Sequence, residues 1–167
     1  MAKFIPLKVY KTIIRNAPIV SSDIVINFKN KFLLLKRVNE PCRGLWWTPG
    51  GRVSKNEKIL DSVYRVVKEE IGIKKIKIKK FLGVFDLYCE PGKFKEKNMH
   101  YVSFAFLVEP IGKFNIKIDF QHSEYNFFAS PPSNSHPFIK KLFFLSKKKH
   151  FKATPPVSYE IKPHSEL

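Results

Sequence analysis

"GGRVSKNEKILDSVYRVVKEEIGI", residues 50–73, is the stretch on which the reading of this chain turns. Ser54 followed three residues later by Glu57 has the form of a capping box, and Gly72 suits a helix stop, so a helix is expected from about Lys55 to Ile71. At about 100° per residue, Ile59, Val63, Val66 and Val67 share one face, which should lie on a sheet. Asp61, Arg65 and Glu69 fall on another face at i, i+4 spacing, where Arg65 can pair with either acid. Glu70 falls within the apolar face. A carboxylate there is costly unless a cation or several donors meet it. Glu69 is therefore explained by Arg65 alone, whereas Glu70 asks for a ligand.

Working outward, "IVSSDIVINF" and "KFLLLKRV" are β-type runs separated by "KNK", the pattern of a hairpin. "PCRGLWWTPGGRVSKNE" is a loop punctuated by Pro and Gly that holds both tryptophans, of which at least one should enter the core. Beyond the helix, "KIKIKKFLGVFDLY" and "HYVSFAFLVEP" alternate as strands, and "KFNIKIDFQHSEYNFFA" reads as two short strands flanking "QHS". "HPFIKKLFFL" is helical and leads into a basic, Pro-containing tail from about Lys147. This order of elements predicts an α/β (α+β) fold, a mixed sheet with helices packed on it. The 167 residues fit one domain with a core over about 18–129, an N-terminal arm over 1–17, and a C-terminal helix and tail over about 134–167.

Composition narrows the partners. The 31 Lys and Arg against 14 Asp and Glu give a formal charge of +17, which attracts polyanions, although a lysine-rich surface has the same arithmetic without any ligand. Cys42 and Cys89 have no metal or disulfide spacing and are expected as reduced thiols in a cytoplasmic protein. No apolar run approaches the ~20 residues of a membrane span, so no membrane partner is expected. The Phe-rich C-terminal stretch reads as core or as a homodimer face.

The spacing Gly51-x5-Glu57-x7-Arg65, then Glu69, Glu70, Gly72 and Ile73, resembles the Nudix box, Gly-x5-Glu-x7-Arg-Glu-U-x-Glu-Glu-x-Gly-U with U aliphatic. Every fixed position matches except one: Val66 stands where the family has the glutamate after arginine. The resemblance implies an α/β/α sandwich, a divalent cation (Mg²⁺, with Mn²⁺ as the alternative), and hydrolysis of a nucleoside diphosphate linked to another group.

One branch with a reduced box, the GDP-mannose mannosyl hydrolases, is similar over about 18–128, in "PIVSSDIVI", "FLLLKRVNEP", "GLWWTPGGRV", "HYVSFAF" and "QHSEYNFF". Carried over residue by residue, this resemblance implies that Gly50, Glu70 and Gln121 hold the metal, with Glu69 as a further box carboxylate beside them. It implies His122 as catalytic base. Asp23, Arg37 and Arg52 would bind the nucleotide sugar, and Tyr101 would lie near the leaving diphosphate. Glu69 replaces a small residue of that branch, and Leu87 a histidine, which weakens the inference to mannose.

Three activities follow as expectations. In the first, water attacks sugar C1 of a GDP-hexose, releasing GDP and free sugar. Charge leaving with the diphosphate is met by Mg²⁺ and Arg37 or Arg52, and a histidine base activates the water. A second activity is an ordinary diphosphohydrolase attacking phosphorus, with Glu69 and Glu70 sharing metal and base duties. The third is a non-catalytic phosphate or nucleic-acid binder, motivated by the charge and by "KKKHFK"; nucleic acid ranks last because it leaves Glu70 unexplained.

Overall fold

The computed structural model describes residues 5–149 and 154–161. Its spine is the predicted hairpin: β1 (Ile19–Phe28) and β2 (Lys31–Arg37) pair antiparallel through Asn27–Phe32 and Phe28–Lys31. The two residues between them, Lys29 and Asn30, both have positive φ (51° and 60°), as a tight hairpin turn requires. Two short strands follow in the tryptophan loop, β3 (Trp46–Trp47) on β2 and β4 (Gly50–Arg52) on β1. Two long strands, β5 (Ile76–Cys89) and β6 (Met99–Pro110), are antiparallel to each other, and β6 runs parallel to β1. β7 (His122–Phe128) pairs antiparallel with β2.

The sheet is thus mixed, in the order β3-β2-β1-β6-β5-β8, with β4 and β7 attached at β1 and β2. The last member, β8 (Thr154–Ile161), runs parallel to β5 within a segment read from the sequence as tail. Of that basic tail, residues 150–153 and 162–167, with His150 and His164 among them, lie outside the described residues.

Strand alternation sorts the apolar side chains into two layers. On β1 and β2, Ile24, Ile26, Leu33 and Leu35 face α2 (Ile59–Ile71), packing on Val63, Val66 and Val67. On the other face Val25, Phe32 and Leu34 meet α3 (Pro137–Lys147), whose Phe138, Ile139, Leu142 and Phe143 are buried, together with Ile14 of α1 (Leu7–Asn16). This is the expected α/β/α sandwich. Each fully buried Val or Leu contributes about 1.5–3 kcal/mol, so the two layers carry most of the stability.

Several local expectations change. Helix α2 starts at Ile59, not near Lys55: Ser54 and Glu57 close a separate turn, with the Ser54 N–H donating to Glu57 Oε2 at 2.8 Å and the Glu57 N–H to the Ser54 carbonyl at 3.1 Å. The acceptor geometry of a capping box is present, but the carboxylate is already engaged by Arg65 and the chain does not enter the helix there. The first of the two strands expected around "QHS" is replaced by an unpaired extended segment. Phe114, Ile116 and Ile118 do alternate onto the α2 core, yet the backbone bonds go to the end of α2, from Lys117 N–H to the Ile71 carbonyl and from Asp119 N–H to the Glu70 carbonyl. Within the N-terminal arm the chain forms α1, which has no side-chain N-cap bond and so no start signal in the sequence.

Candidate active site

The carboxyl end of α2, the β4 turn and the loop before β7 meet on one side of the sheet around a cavity of about 660 Å³. Asp23, Arg37, Gly50, Arg52, Glu69, Glu70, Tyr101 and Gln121 all line it, so eight of the nine residues singled out from sequence converge there. The ninth, His122, does not line it: its side chain is fully enclosed.

The two glycines at the base of the cavity are there for room, not for backbone conformation. A Cβ on Gly50 would lie 2.7 Å from Asp23 Oδ1 and 3.1 Å from the Ser22 carbonyl, and one on Gly51 would lie 3.0 Å from Val66 Cγ2. Close approach of β4 to β1 and α2 therefore requires both. It also shows what Val66 does: it is 1% exposed, belongs to the α2 core, and closes the cavity floor against Gly51 with hydrocarbon. Ser62, one turn earlier, ties the helix to β1 by a buried hydroxyl contact of 2.6 Å to Ser22.

Glu70 is 7% exposed, and among the described residues one hydrogen bond reaches its carboxylate, from the Gly50 N–H to Oε2 at 3.0 Å. Burial, reinforced by the charge of Asp119 and opposed by the Gly50 N–H and by Arg37, pushes its pKa up to about 8. Glu69, one residue earlier, stands at the rim with 35% of its side chain exposed and is paired to Arg65 at 3.0 Å. Arg65 also grips both oxygens of Glu57, at 2.6 and 2.8 Å, and the Arg52 carbonyl at 2.9 Å. The hydrogen bond from Arg65 holds the Glu57 carboxyl below its usual range.

Asp23 is buried and accepts hydrogen bonds from Thr48 Oγ1 (3.2 Å) and from Ser103 Oγ, while burial drives its pKa up against those bonds. Arg37 donates to the Pro41 carbonyl at 2.8 Å. Tyr101 donates to Met99 Sδ at 3.4 Å, and burial puts its hydroxyl well above the usual phenol range.

Sequence reasoning passed over Asp119, which organises the loop before β7. Its carboxylate accepts from the Gln121 backbone N–H (3.1 Å), from Gln121 Nε2 (2.8 Å) and from His122 Nδ1 (2.7 Å). Burial raises the Asp119 carboxyl, but the bonds from His122 and Gln121 outweigh it and hold the group below its ordinary value. In the neutral imidazole, donation from Nδ1 leaves Nε2 as an acceptor; that atom is buried and has no partner among the described residues. The signal for Asp119 was an acid two residues before "QH" in a chain with few acids. Lys93, in the 3₁₀ turn Lys93–Lys95, also lines the cavity and was equally unmarked.

The donor set suits a hard cation. Among the described residues no three His, Cys, Asp or Glu side chains converge on a point, so an ion here would rest on Glu70 with backbone carbonyl and amide oxygens such as those of Gly50 and Gln121. Oxygen-only ligation is what Mg²⁺ and Mn²⁺ take, and a buried carboxylate with one N–H donor has unused coordination capacity.

The comparisons with known proteins bear on the family and the fold. The family model described as NUDIX domain matches residues 18–137. The low-salt glycan biosynthesis protein Agl8 of Haloferax volcanii is 37% identical over 138 residues, covering 82% of this chain and 87% of that protein. An ADP-ribose pyrophosphatase of Methanocaldococcus jannaschii is 38% identical over 95 residues, 57% of this chain and 53% of its own. The crystal structure of a MutT NUDIX hydrolase from Burkholderia pseudomallei superposes with a TM-score of 0.62 at 23% identity, over 78% of this chain and 98% of that one, a likeness of fold alone. No helix among the described residues is long and apolar enough to cross a membrane. Box spacing, sandwich, converging site and these matches together place the chain in the Nudix family, as a hydrolase of the class that acts on nucleoside diphosphate derivatives.

Proposed function

We propose that the protein is a Mg²⁺-dependent hydrolase of a nucleotide sugar, a GDP-hexose such as GDP-mannose, releasing GDP and the free sugar by attack of water on sugar C1. The observation that carries the reading is the Asp119 carboxylate, which holds Gln121 at the cavity and His122 Nδ1 in one hydrogen-bonded group. A metal ligand and a base on one loop, sharing one orienting carboxylate, fit a site in which the base has left the α2 helix. Similarity to a protein named for glycan biosynthesis adds support for a sugar-linked substrate.

The chain's residues divide the work as follows. Glu70, with the Gly50 and Gln121 oxygens, would hold the cation, which supplies charge neutralisation on the diphosphate. Arg37 and Arg52, which line the cavity, would bind phosphate oxygens, and Asp23 would accept from hydroxyl groups of substrate. The C1–O bond breaks, both its electrons leave with the oxygen of the diphosphate, and water's oxygen forms the new bond to C1. His122 Nε2 would take the water's proton, and Asp119 would steady the imidazolium that results. For that step the His122 ring must gain access to the cavity on substrate binding.

A second reading, attack on phosphorus to give GMP and sugar 1-phosphate, is favoured by a specific observation: Glu69 lines the cavity whereas His122 is enclosed. Product analysis in H₂¹⁸O after incubation with GDP- and ADP-linked compounds separates them. Label in the free sugar beside unlabelled GDP supports carbon attack. Label in GMP or in sugar 1-phosphate refutes it and leaves the carboxylate mechanism. A steeply salt-dependent affinity for DNA or RNA without any turnover would replace both by a binding role.

A further inference from the structure

The nine residues brought forward by the sequence leave the outer wall of the cavity unassigned. That wall is built from α1 and from the segment between β5 and β6, where Tyr10, Lys93 and Phe94 line the cavity. The Lys93 ammonium lies 6.0 Å from the Tyr10 ring centroid and 5.7 Å from that of Phe94, and the two rings meet edge to face at 6.1 Å. Among the described residues no carboxylate forms an ion pair with it.

The turn that presents Lys93 is held at several points. Gly92 donates to the Glu96 carbonyl at 2.9 Å, and a Cβ there would lie 2.5 Å from that of Met99, so only glycine fits. The Lys93 N–H donates to Met99 Sδ at 3.3 Å. Glu96 is clamped to α1 by Arg15, at 2.8 Å to each oxygen, and by Lys11 at 3.4 Å. Within this frame Phe94 adopts a left-handed backbone (φ 61°, ψ 25°), which for an aromatic residue costs about 1–3 kcal/mol and persists only where the surroundings impose it. A lysine is thus held at the cavity by a strained, tethered turn.

Its surroundings make that placement unfavourable without a ligand. Burial first, then the charge of Arg37, lowers the Lys93 pKa, with Glu70 acting in the opposite sense. Arg37, Arg52, Arg65 and Lys93 line the cavity together with the acids Asp23, Glu69, Glu70 and Asp119; Arg65 is committed to Glu57 and Glu69, and an anion of more than one charge relieves the repulsion between Lys93 and Arg37. Lys93 is half-buried, whereas a surface lysine such as Lys97 is exposed.

We propose that Lys93 is a substrate-binding residue that contacts the diphosphate directly, facing it from the side opposite the Glu70 floor, with the rings of Tyr10 and Phe94 beside its ammonium. This deepens the proposed function and rests on its assignment of a nucleoside diphosphate to the cavity.

Calorimetric titration with GDP, ADP and UDP in Mg²⁺ tests it, on the wild type, Lys93→Met, Lys93→Arg and the exposed control Lys97→Met, each checked for an unchanged melting temperature. Loss of one charge-assisted contact should weaken the tightest of the three nucleotides about 10- to 100-fold in Lys93→Met. Lys93→Arg should recover most of that, and Lys97→Met should match the wild type. The affinity of the wild type should also fall more steeply with added NaCl than that of Lys93→Met. The proposal is overturned if Lys93→Met binds as tightly as wild type, if Lys93→Arg loses as much as Lys93→Met, or if none of the three nucleotides binds. Because binding is read without turnover, failure of the sugar-releasing reaction leaves this test intact. Unchanged GDP affinity alongside normal turnover overturns only the role of Lys93.

Discussion

The two edges of helix α2 handle charge in opposite ways. On the outer edge Arg65 and Glu69 of the helix and Glu57 of the turn before it neutralise one another at 2.6–3.0 Å, and the Arg52 carbonyl is a further partner of the guanidinium. On the inner edge Glu70 is nearly enclosed, receives one N–H, and is held with its proton up to a pKa of about 8. The carboxylates of Glu69 and Glu70 are adjacent in sequence, but 100° of helical rotation sends one to a finished ion pair and the other to an unfinished site. A satisfied network stabilises the fold; an unsatisfied carboxylate needs a ligand that arrives from outside.

The contrast is best broken at Glu70. Glu70→Gln should lower Mg²⁺-dependent turnover by about 10³-fold or more, since a cation stabilising the leaving group contributes several kcal/mol. Its melting temperature should not fall, because a neutral side chain suits the pocket. Turnover near the wild-type rate would remove Glu70 from the site. His122→Ala should cost at least about tenfold in kcat if histidine is the base, with Glu69→Gln nearly silent. The reverse pair of results assigns the base to the box.

The pH dependence of the metal-free protein sharpens the comparison further. Glu70 binds its proton more tightly in the folded state than in the unfolded chain, where the pKa is near 4.5. Its contribution is therefore fully present below pH 4.5 and is lost as pH rises toward and through about 8. The slope is at most about 1.4 kcal/mol per pH unit. Urea midpoints in EDTA should show this decline, and Glu70→Gln should flatten it; an unaltered slope in the variant would place the titration elsewhere. Mg²⁺ should reduce the decline and release a proton on binding, measurable as a buffer-dependent heat.

On the outer edge the expected effect is smaller and structural. Arg65→Met should reduce stability by about 1–3 kcal/mol, since it strands Glu57 and frees the turn before the helix. Glu69→Gln should change stability by no more than about 0.5 kcal/mol, the scale of an exposed i, i+4 pair. A large stability loss in Glu69→Gln would erase the distinction between the edges.

Much of the sandwich was legible because its elements are long and periodic. β5, β6, α2 and α3 repeat apolar residues near the period of their element, and β1 and β2 are β-type apolar runs on either side of a short polar turn. Trp47 enters the core as expected of one tryptophan, while Trp46 packs half-buried on Phe128. Cys42 and Cys89 are free thiols, as expected from their spacing, and the structure buries both. Illegible were β3 and β4, too short for any period, and β8, whose two prolines argue against a strand unless it lies at an edge, as it does. In the segment around Ile116 the alternation was read correctly and the partner was not: its backbone bonds to a helix end, which periodicity cannot reveal.

By itself the sequence determined the helical angle between Glu69 and Glu70, the spacing of the box, and the family that spacing belongs to, because these are local and set by 3.6 residues per turn. Only the tertiary structure decided which of the 31 Lys and Arg face the cavity, that Val66 seals its floor against Gly51, and that Asp119 joins Gln121 to His122. Those facts depend on strands and loops distant in sequence closing on one another, and no local periodicity encodes where a loop side chain comes to rest.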